Sequence, residues 1–176
     1  MTKAVFLDRD GVLINSIVIN GKPYAARKLE SIKILPNVKE SLNRLKLDNW
    51  KIFVVTNQPD VARGIISKED VEEINTYLEK ILPITKFYTC YHDDQDFCDC
   101  RKPQPGFLIS AALSNKIDLN KSYMIGDRWK DIEAGKRAGC KTFFIDYDYK
   151  EKKPTNYTYR VKSLNEAVEK IMGQVA

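Results

Sequence analysis

Cys90, His92, Cys98 and Cys100 stand together in the run CYHDDQDFCDCRKP, and His92 is the one histidine of the chain. Thiolate sulfur and imidazole nitrogen are preferred zinc ligands, and four of them with no further candidate nearby describe a closed, structural, tetrahedral site. A disulfide is the poorer reading, because Cys98 and Cys100 are too close for an easy bond and a third thiol would be left over. The loop 90–102 is therefore expected to fold around Zn²⁺. Arg101 and Lys102 follow the last ligand directly, so the metal would set two cations side by side as a mount for something anionic. The fourth cysteine, Cys140, reads as a small core residue.

The other reactive residues come into view once the elements that carry them are placed. The runs 4–8 (AVFLD), 51–56 (KIFVVT), 84–91, 122–127 and 141–146 are short and almost continuously apolar, like strands buried on both faces. Helical patterns lie between them at 37–47, 67–82, 106–116 and 129–138. Ser67 with Asp70 forms a capping pair, Gly139 suits a C-terminal cap, and Ser163 with Glu166 opens a last helix around 164–172. Strand and helix in alternation predict an α/β fold with a parallel central sheet covered by helices on both sides. In such sheets ligands sit beyond the carboxyl ends of the strands.

Those strand ends carry complementary polar groups. The first ends in Asp8, Arg9, Asp10 and Gly11, and the second in Thr56, Asn57 and Gln58. The third runs into the zinc-type loop and Lys102, and the fourth ends in Gly126 and Asp127, with Asp131 one helical turn on. Asp8, Asp10 and Asp127 converging on one point would repel each other unless a hard divalent cation lay between them. Mg²⁺ takes oxygen ligands of this kind while keeping waters for a substrate phosphate.

With 176 residues and 43% hydrophobic content the chain suits one compact domain, 1–176. The apolar run in MTKAVFLDRDG is short and interrupted by acids, so it is not expected to act as a signal peptide, and no run approaches the ~20 apolar residues of a membrane span. A cytoplasmic, monomeric protein with no membrane partner is expected, in a compartment that keeps thiols reduced. The net charge of +5 is modest and mixed along the helices, mostly a solvated surface and only weak evidence for a nucleic-acid partner, so none is expected.

DRDGV, the VTNQ threonine, the lysine of CRKP and GDRWKD together resemble, in order, the four motifs of the haloacid dehalogenase (HAD) superfamily of phosphohydrolases. The pattern CxHx5CxCRKPxPG, with TNQ followed by Ala62, Arg63 and Gly64, is similar to the zinc-bearing branch that holds the heptose-bisphosphate and histidinol-phosphate phosphatases. The resemblance implies a three-layer Rossmann-like HAD fold with a minimal cap, here a short flap at about 13–35 with a Gly-based hairpin between Ile19 and Tyr24. It also implies Asp8 as nucleophile forming an aspartyl-phosphate, Asp10 as acid and base, and Thr56 and Lys102 holding the phosphoryl oxygens. Mg²⁺ would be bound by Asp8, the carbonyl of Asp10 and Asp127, and Asp131 would orient Lys102 or the metal's waters.

The substrate expected from the resemblance is a small sugar bisphosphate, heptose 1,7-bisphosphate losing its 7-phosphate. Asn57, Gln58, Arg63, Arg101 and Arg128 are the groups expected around its second phosphate or hydroxyls. Where heptose enzymes read TNQSG, this chain has Pro59 and Asp60, an acid beside the phosphate pocket that needs a cation such as Arg63. Histidinol phosphate is the nearest alternative. A polynucleotide 3′-phosphatase is the alternative of another kind, and against it this chain shows no aromatic and basic stripe of the sort that stacks bases. A zinc-stabilised binding domain without chemistry would have been free to lose Asp8 or Asp10.

Overall fold

The computed structural model describes residues 2–173. Strands β1 (Ala4–Leu7), β4 (Lys51–Asn57), β5 (Lys86–Cys90), β6 (Tyr123–Gly126), β7 (Lys141–Ile145) and β8 (Tyr159–Val161) form a six-stranded sheet in the order β5-β4-β1-β6-β7-β8. Every pairing in it is parallel. A separate antiparallel hairpin, β2 (Ile17–Ile19) with β3 (Lys22–Tyr24), occupies the expected flap. Its turn residues Asn20 and Gly21 both have positive φ, 52° and 79°, as a two-residue turn matched to strand twist requires.

Alternation along the strands explains their continuous apolar sequence. Val5, Leu7, Ile52, Val54, Ile125, Phe143 and Ile145 enter one core, against Leu42 and Leu45 of α1 (Val38–Leu47), Ile74 and Leu78 of α2 (Lys68–Ile81), and Ala167 and Val168 of α5 (Leu164–Ile171). Ala4, Phe6, Phe53, Val55 and Met124 point the other way, onto Leu108, Ala111 and Ala112 of α3 (Gly106–Asn115). Ala138 of α4 (Trp129–Ala138) packs against the same layer. Both faces of the central strands β1, β4, β6 and β7 are buried, so these four read as almost continuous apolar runs in the sequence.

The expected helices form within a residue or two of their bounds, with their caps. Ser67 accepts from the Asp70 amide while Asp70 accepts from the Ser67 amide, and Gly139 closes α4 at φ 90°. Between β7 and α5 the chain also contributes an edge strand, β8, for which the sequence showed no signal. β8 is three residues long with one buried side chain, Val161, too short to show a period. The sheet order makes β1 central, with the chain crossing to β4 and β5 on one side and to β6 to β8 on the other. That reversal opens a crevice at the carboxyl end of β1.

Ser67→Ala removes one half of the α2 cap and should cost about 1 kcal/mol, lowering the thermal midpoint by ~2–4 °C. Thermal unfolding followed by circular dichroism checks this, and an unchanged midpoint would show that the cap does not hold the helix.

Candidate active site

The parallel register brings four strand ends level. Leu7 pairs with Val54 and with Ile125, so Asp8, Thr56, Asn57 and Asp127 leave the sheet side by side, and Cys90 pairs with Asn57. Lys102, from the loop after β5, enters this crevice with 2% of its side chain exposed. Its Nζ lies 3.0 Å from Asp8 Oδ1 and 2.6 Å from Asp131 Oδ1, and donates to the Val55 carbonyl at 2.6 Å. Burial works against the Lys102 cation, but the Asp131 and Asp8 carboxylates outweigh it and hold the ammonium above the ordinary lysine range. Burial, followed by the Asp131 charge, raises Asp8, with Lys102 opposing.

Asn57 fixes where Lys102 arrives. Its amide nitrogen donates to the Lys102 carbonyl and its oxygen accepts from the Lys102 amide, both at 3.0 Å. Asn57 and Gln58 were both expected around the substrate; Asn57 lines the crevice while its amide holds Lys102, and Gln58 keeps one amide atom, Oε1, buried without a partner. Gln58 is buried, and its Nε2 donates to Thr56 Oγ1 at 2.9 Å and to Asp10 Oδ2 at 3.1 Å.

The side-chain carboxylates that converge are Asp8, Asp127 and Asp131, not Asp8, Asp10 and Asp127. Asp10 turns away because Arg9 captures it: Arg9 Nε donates to Asp10 Oδ2 at 3.0 Å, and the Ala26 amide donates to Asp10 Oδ1 at 2.8 Å. Arg9 has 0% exposure and also donates to Asn75 of α2 at 3.0 Å. The sequence reading gave Arg9 no role. An arginine beside an acid at the end of a strand buried on both faces was the signal, since such a cation must be paired.

Asp131 has both oxygens engaged, Oδ1 by Lys102 and Oδ2 by the Arg128 amide at 3.0 Å. Gly126 lacks the Cβ that would collide with Asp131. Asp127 Oδ1 is buried without a hydrogen-bond partner, whereas Oδ2 accepts from Tyr149 at 2.9 Å. Burial, then the charges of Asp8 and Asp131, raise Asp127 well above the usual carboxylate range. An orphaned oxygen in a buried acidic cluster suits a hard divalent cation, which would cancel that repulsion.

At the other metal-type cluster, Cys90 Sγ lies 3.2 Å from Cys100 Sγ and 3.7 Å from Cys98 Sγ, and Cys98 and Cys100 are 3.5 Å apart. His92 Nδ1 is 3.5 Å from Cys90 Sγ and 3.3 Å from Cys100 Sγ. Ligands of a tetrahedral zinc ion sit ~3.5–3.8 Å from one another, so the donor set fits one. None of the four cysteines is in a disulfide, and burial pushes the Cys140 thiol up to about 12.

A cavity of about 50 Å³ above Asp8 and Lys102 adjoins one of about 210 Å³ lined by Lys22, Arg63, Arg101, Arg128 and Lys130. The expected arginines thus share one wall, each braced by an acid. Arg63 Nε lies 2.7 Å from Asp93, Arg101 Nε 2.8 Å from Asp94, and Arg128 Nη2 2.6 Å from Glu151. Asp60 is neutralised by Arg63 at 3.4 Å and Arg27 at 3.6 Å. Arg101 Nη1 is buried and unpartnered. Glu151, Tyr147 and Tyr149 come from the segment after β7, where no motif pointed.

An aspartate at the end of a central parallel strand, a buried lysine against it, and an acidic cluster beside a cation-lined hollow define a phosphatase of the HAD type. A HAD-hydrolase-like family profile matches residues 99–167. The D-glycero-β-D-manno-heptose-1,7-bisphosphate 7-phosphatase of Helicobacter pylori J99 is 31% identical over 95% of each chain. The D-glycero-α-D-manno-heptose-1,7-bisphosphate 7-phosphatase of Campylobacter jejuni is 32% identical over 94% of this chain and 93% of its own. The D,D-heptose 1,7-bisphosphate phosphatase of B. bronchiseptica, solved with magnesium and phosphate, superposes with a TM-score of 0.83 at 24% identity, covering 99% of this chain and 100% of that one. The chain belongs to the heptose-1,7-bisphosphate 7-phosphatase family of HAD-type phosphatases.

Because the Asp127 proton is held more tightly in the folded protein, that group's stabilising contribution is present at acid pH. It is lost as pH rises above the usual carboxylate range. Without added divalent cation, Asp127→Asn should therefore raise the thermal midpoint at neutral pH, by ~2–4 °C for each ~1 kcal/mol of repulsion relieved, and by less near pH 4. Equal midpoints for parent and variant across that range would refute the strained-cluster account.

Proposed function

We propose that this phosphatase removes the 7-phosphate of heptose 1,7-bisphosphate through an aspartyl-phosphate on Asp8. One observation carries the reading: Lys102 is buried between Asp8 and Asp131 at the mouth of a cation-lined hollow. The small inner cavity accommodates the reacting phosphoryl group, and the larger one a second anionic group with the sugar. Relatives of similar identity carry both anomeric names, so the proposal concerns the 7-phosphate and not the anomer.

Asp8 attacks phosphorus in line while Lys102, with Thr56, draws the phosphoryl oxygens to the opposite side. Asp10 protonates the leaving alkoxide and afterwards takes a proton from the attacking water. Gln58, Arg9 and the Ala26 amide fix the direction of the Asp10 carboxyl. Asp8, Asp127 and the Asp10 carbonyl would hold Mg²⁺, which when bound offsets the charge of nucleophile and phosphate. Cys90, His92, Cys98 and Cys100 would hold Zn²⁺ and keep Arg101 and Lys102 in place.

Arg101 Nη1, with no protein partner, is the donor best placed for a second phosphate, with Arg63, Arg128 and Lys130 alongside. The chain acts as one domain, as a monomer in the reducing cytoplasm, on a small phosphorylated substrate. Thiols gathered as metal ligands suit that compartment. Among the described residues no helix is long and apolar enough to cross a membrane.

Heptose 1,7-bisphosphate, histidinol phosphate and a 3′-phosphorylated oligonucleotide should be assayed side by side by phosphate release. The bisphosphate is expected to have the highest kcat/KM, and Asp8→Asn to lose roughly 10³-fold or more. Preference for histidinol phosphate would replace the substrate, and an active Asp8→Asn would end the mechanism.

Elemental analysis should find about one zinc per chain. Cys98→Ser should lower kcat/KM about 10–100-fold, as loosened metal surroundings do, while Cys140→Ser leaves it alone. Protein without zinc, or an equal loss in both variants, would contradict the scaffold role.

A further inference from the structure

The segment after β7 supplies two tyrosines that reach the acidic cluster. Tyr149 Oη donates to Asp127 Oδ2 at 2.9 Å, and Tyr147 Oη donates to the Gly11 carbonyl at 2.9 Å. Their rings pack 5.6 Å apart. The Lys150 amide donates to the Gly21 carbonyl of the flap hairpin at 2.8 Å, and Glu151 grips Arg128. Tyr149 is therefore positioned by its neighbours on either side and brings its hydroxyl to Asp127 already oriented. Gly11, at φ 86°, has no Cβ where the Asp127 carboxylate lies, so Asp127 is pressed between Gly11 and the phenol.

The two oxygens of Asp127 are consequently unequal. Oδ2 is occupied by Tyr149, and Oδ1, though buried, has no partner. Mg²⁺ demands near-octahedral geometry with one oxygen from each carboxylate, whereas Ca²⁺ accepts bidentate carboxylates and a larger, looser shell. A carboxylate with one oxygen held by a hydroxyl is restricted to the first manner of binding.

We propose that Tyr149 is a positioning residue that makes Asp127 a one-oxygen ligand, and thereby favours Mg²⁺ over Ca²⁺ at this site. The proposal rests on the reading that Asp127 binds the catalytic cation. Tyr149→Phe keeps the ring and its packing and removes only the hydroxyl. Titrating Mg²⁺ and Ca²⁺ separately by calorimetry, this variant should bind Mg²⁺ about tenfold more weakly and Ca²⁺ at least as tightly as the parent. At saturating Mg²⁺ its KM for substrate should be unchanged.

Tyr147→Phe, which removes a hydroxyl from the same segment without touching Asp127, should leave the ratio of the two affinities at the parent value. The proposal is overturned if Tyr149→Phe binds both ions as the parent does, if both affinities fall together, or if Tyr147→Phe shifts the ratio equally. Asp127→Asn separates the two levels. If it too binds Mg²⁺ like the parent, the metal reading itself is wrong; if it loses Mg²⁺ while Tyr149→Phe does not, only the role of Tyr149 fails.

Discussion

Burying a lysine ammonium is expensive unless anions surround it, and Lys102 is buried among the core residues with 2% exposure. Asp8 and Asp131 make that burial tolerable, and the Lys102 ammonium in turn tempers the repulsion among Asp8, Asp127 and Asp131. The arrangement lets a nucleophilic carboxylate face an approaching phosphate: a bare acidic cluster would repel the substrate, and a bare lysine would not stay in the crevice. Much of the surrounding structure delivers these charges to one point.

Three pieces of chain meet there, each fixed by a different kind of force. The sheet sets Asp8 and Asp127 through backbone register, which side-chain motion cannot alter. The loop 90–102 is set at one end by its cluster of thiols and imidazole and at the other by the paired hydrogen bonds of Asn57 to the Lys102 backbone. The flap is set by the Ala26 amide on Asp10 and by the Lys150 amide on Gly21, so it closes over the acids without a large cap domain.

The cationic hollow follows the same economy. Each arginine on its wall has an acidic brace, Asp93, Asp94 or Glu151, which fixes the guanidinium plane and reduces the net positive field. Pro59 and Asp60, the departure in the motif after β4, fall into place here. Asp60 is a salt-bridge partner of Arg63 and Arg27 and joins the loop after β4 to the flap, so its charge is neutralised before any phosphate arrives.

What the sequence by itself determined was local: the five strands with apolar runs, the Ser67 and Gly139 caps, a Gly-based hairpin between Ile19 and Tyr24, and the clustering of Cys90, His92, Cys98 and Cys100. These depend on neighbours within a few residues, where spacing and side-chain type are enough. The strand-end rule also assembled Asp8, Asp127 and Lys102 correctly, because parallel register carries local order across the sheet. Tertiary structure alone decided where each carboxylate points: Asp10 to Arg9, Asp131 to Lys102, Asp127 to Tyr149. It also decided that Gln58 supports Asp10, and that the segment after β7 returns to the site. Those choices depend on which partner relieves each buried charge. The partners lie many residues away with no periodic signal, so only the folded chain brings them within hydrogen-bonding distance.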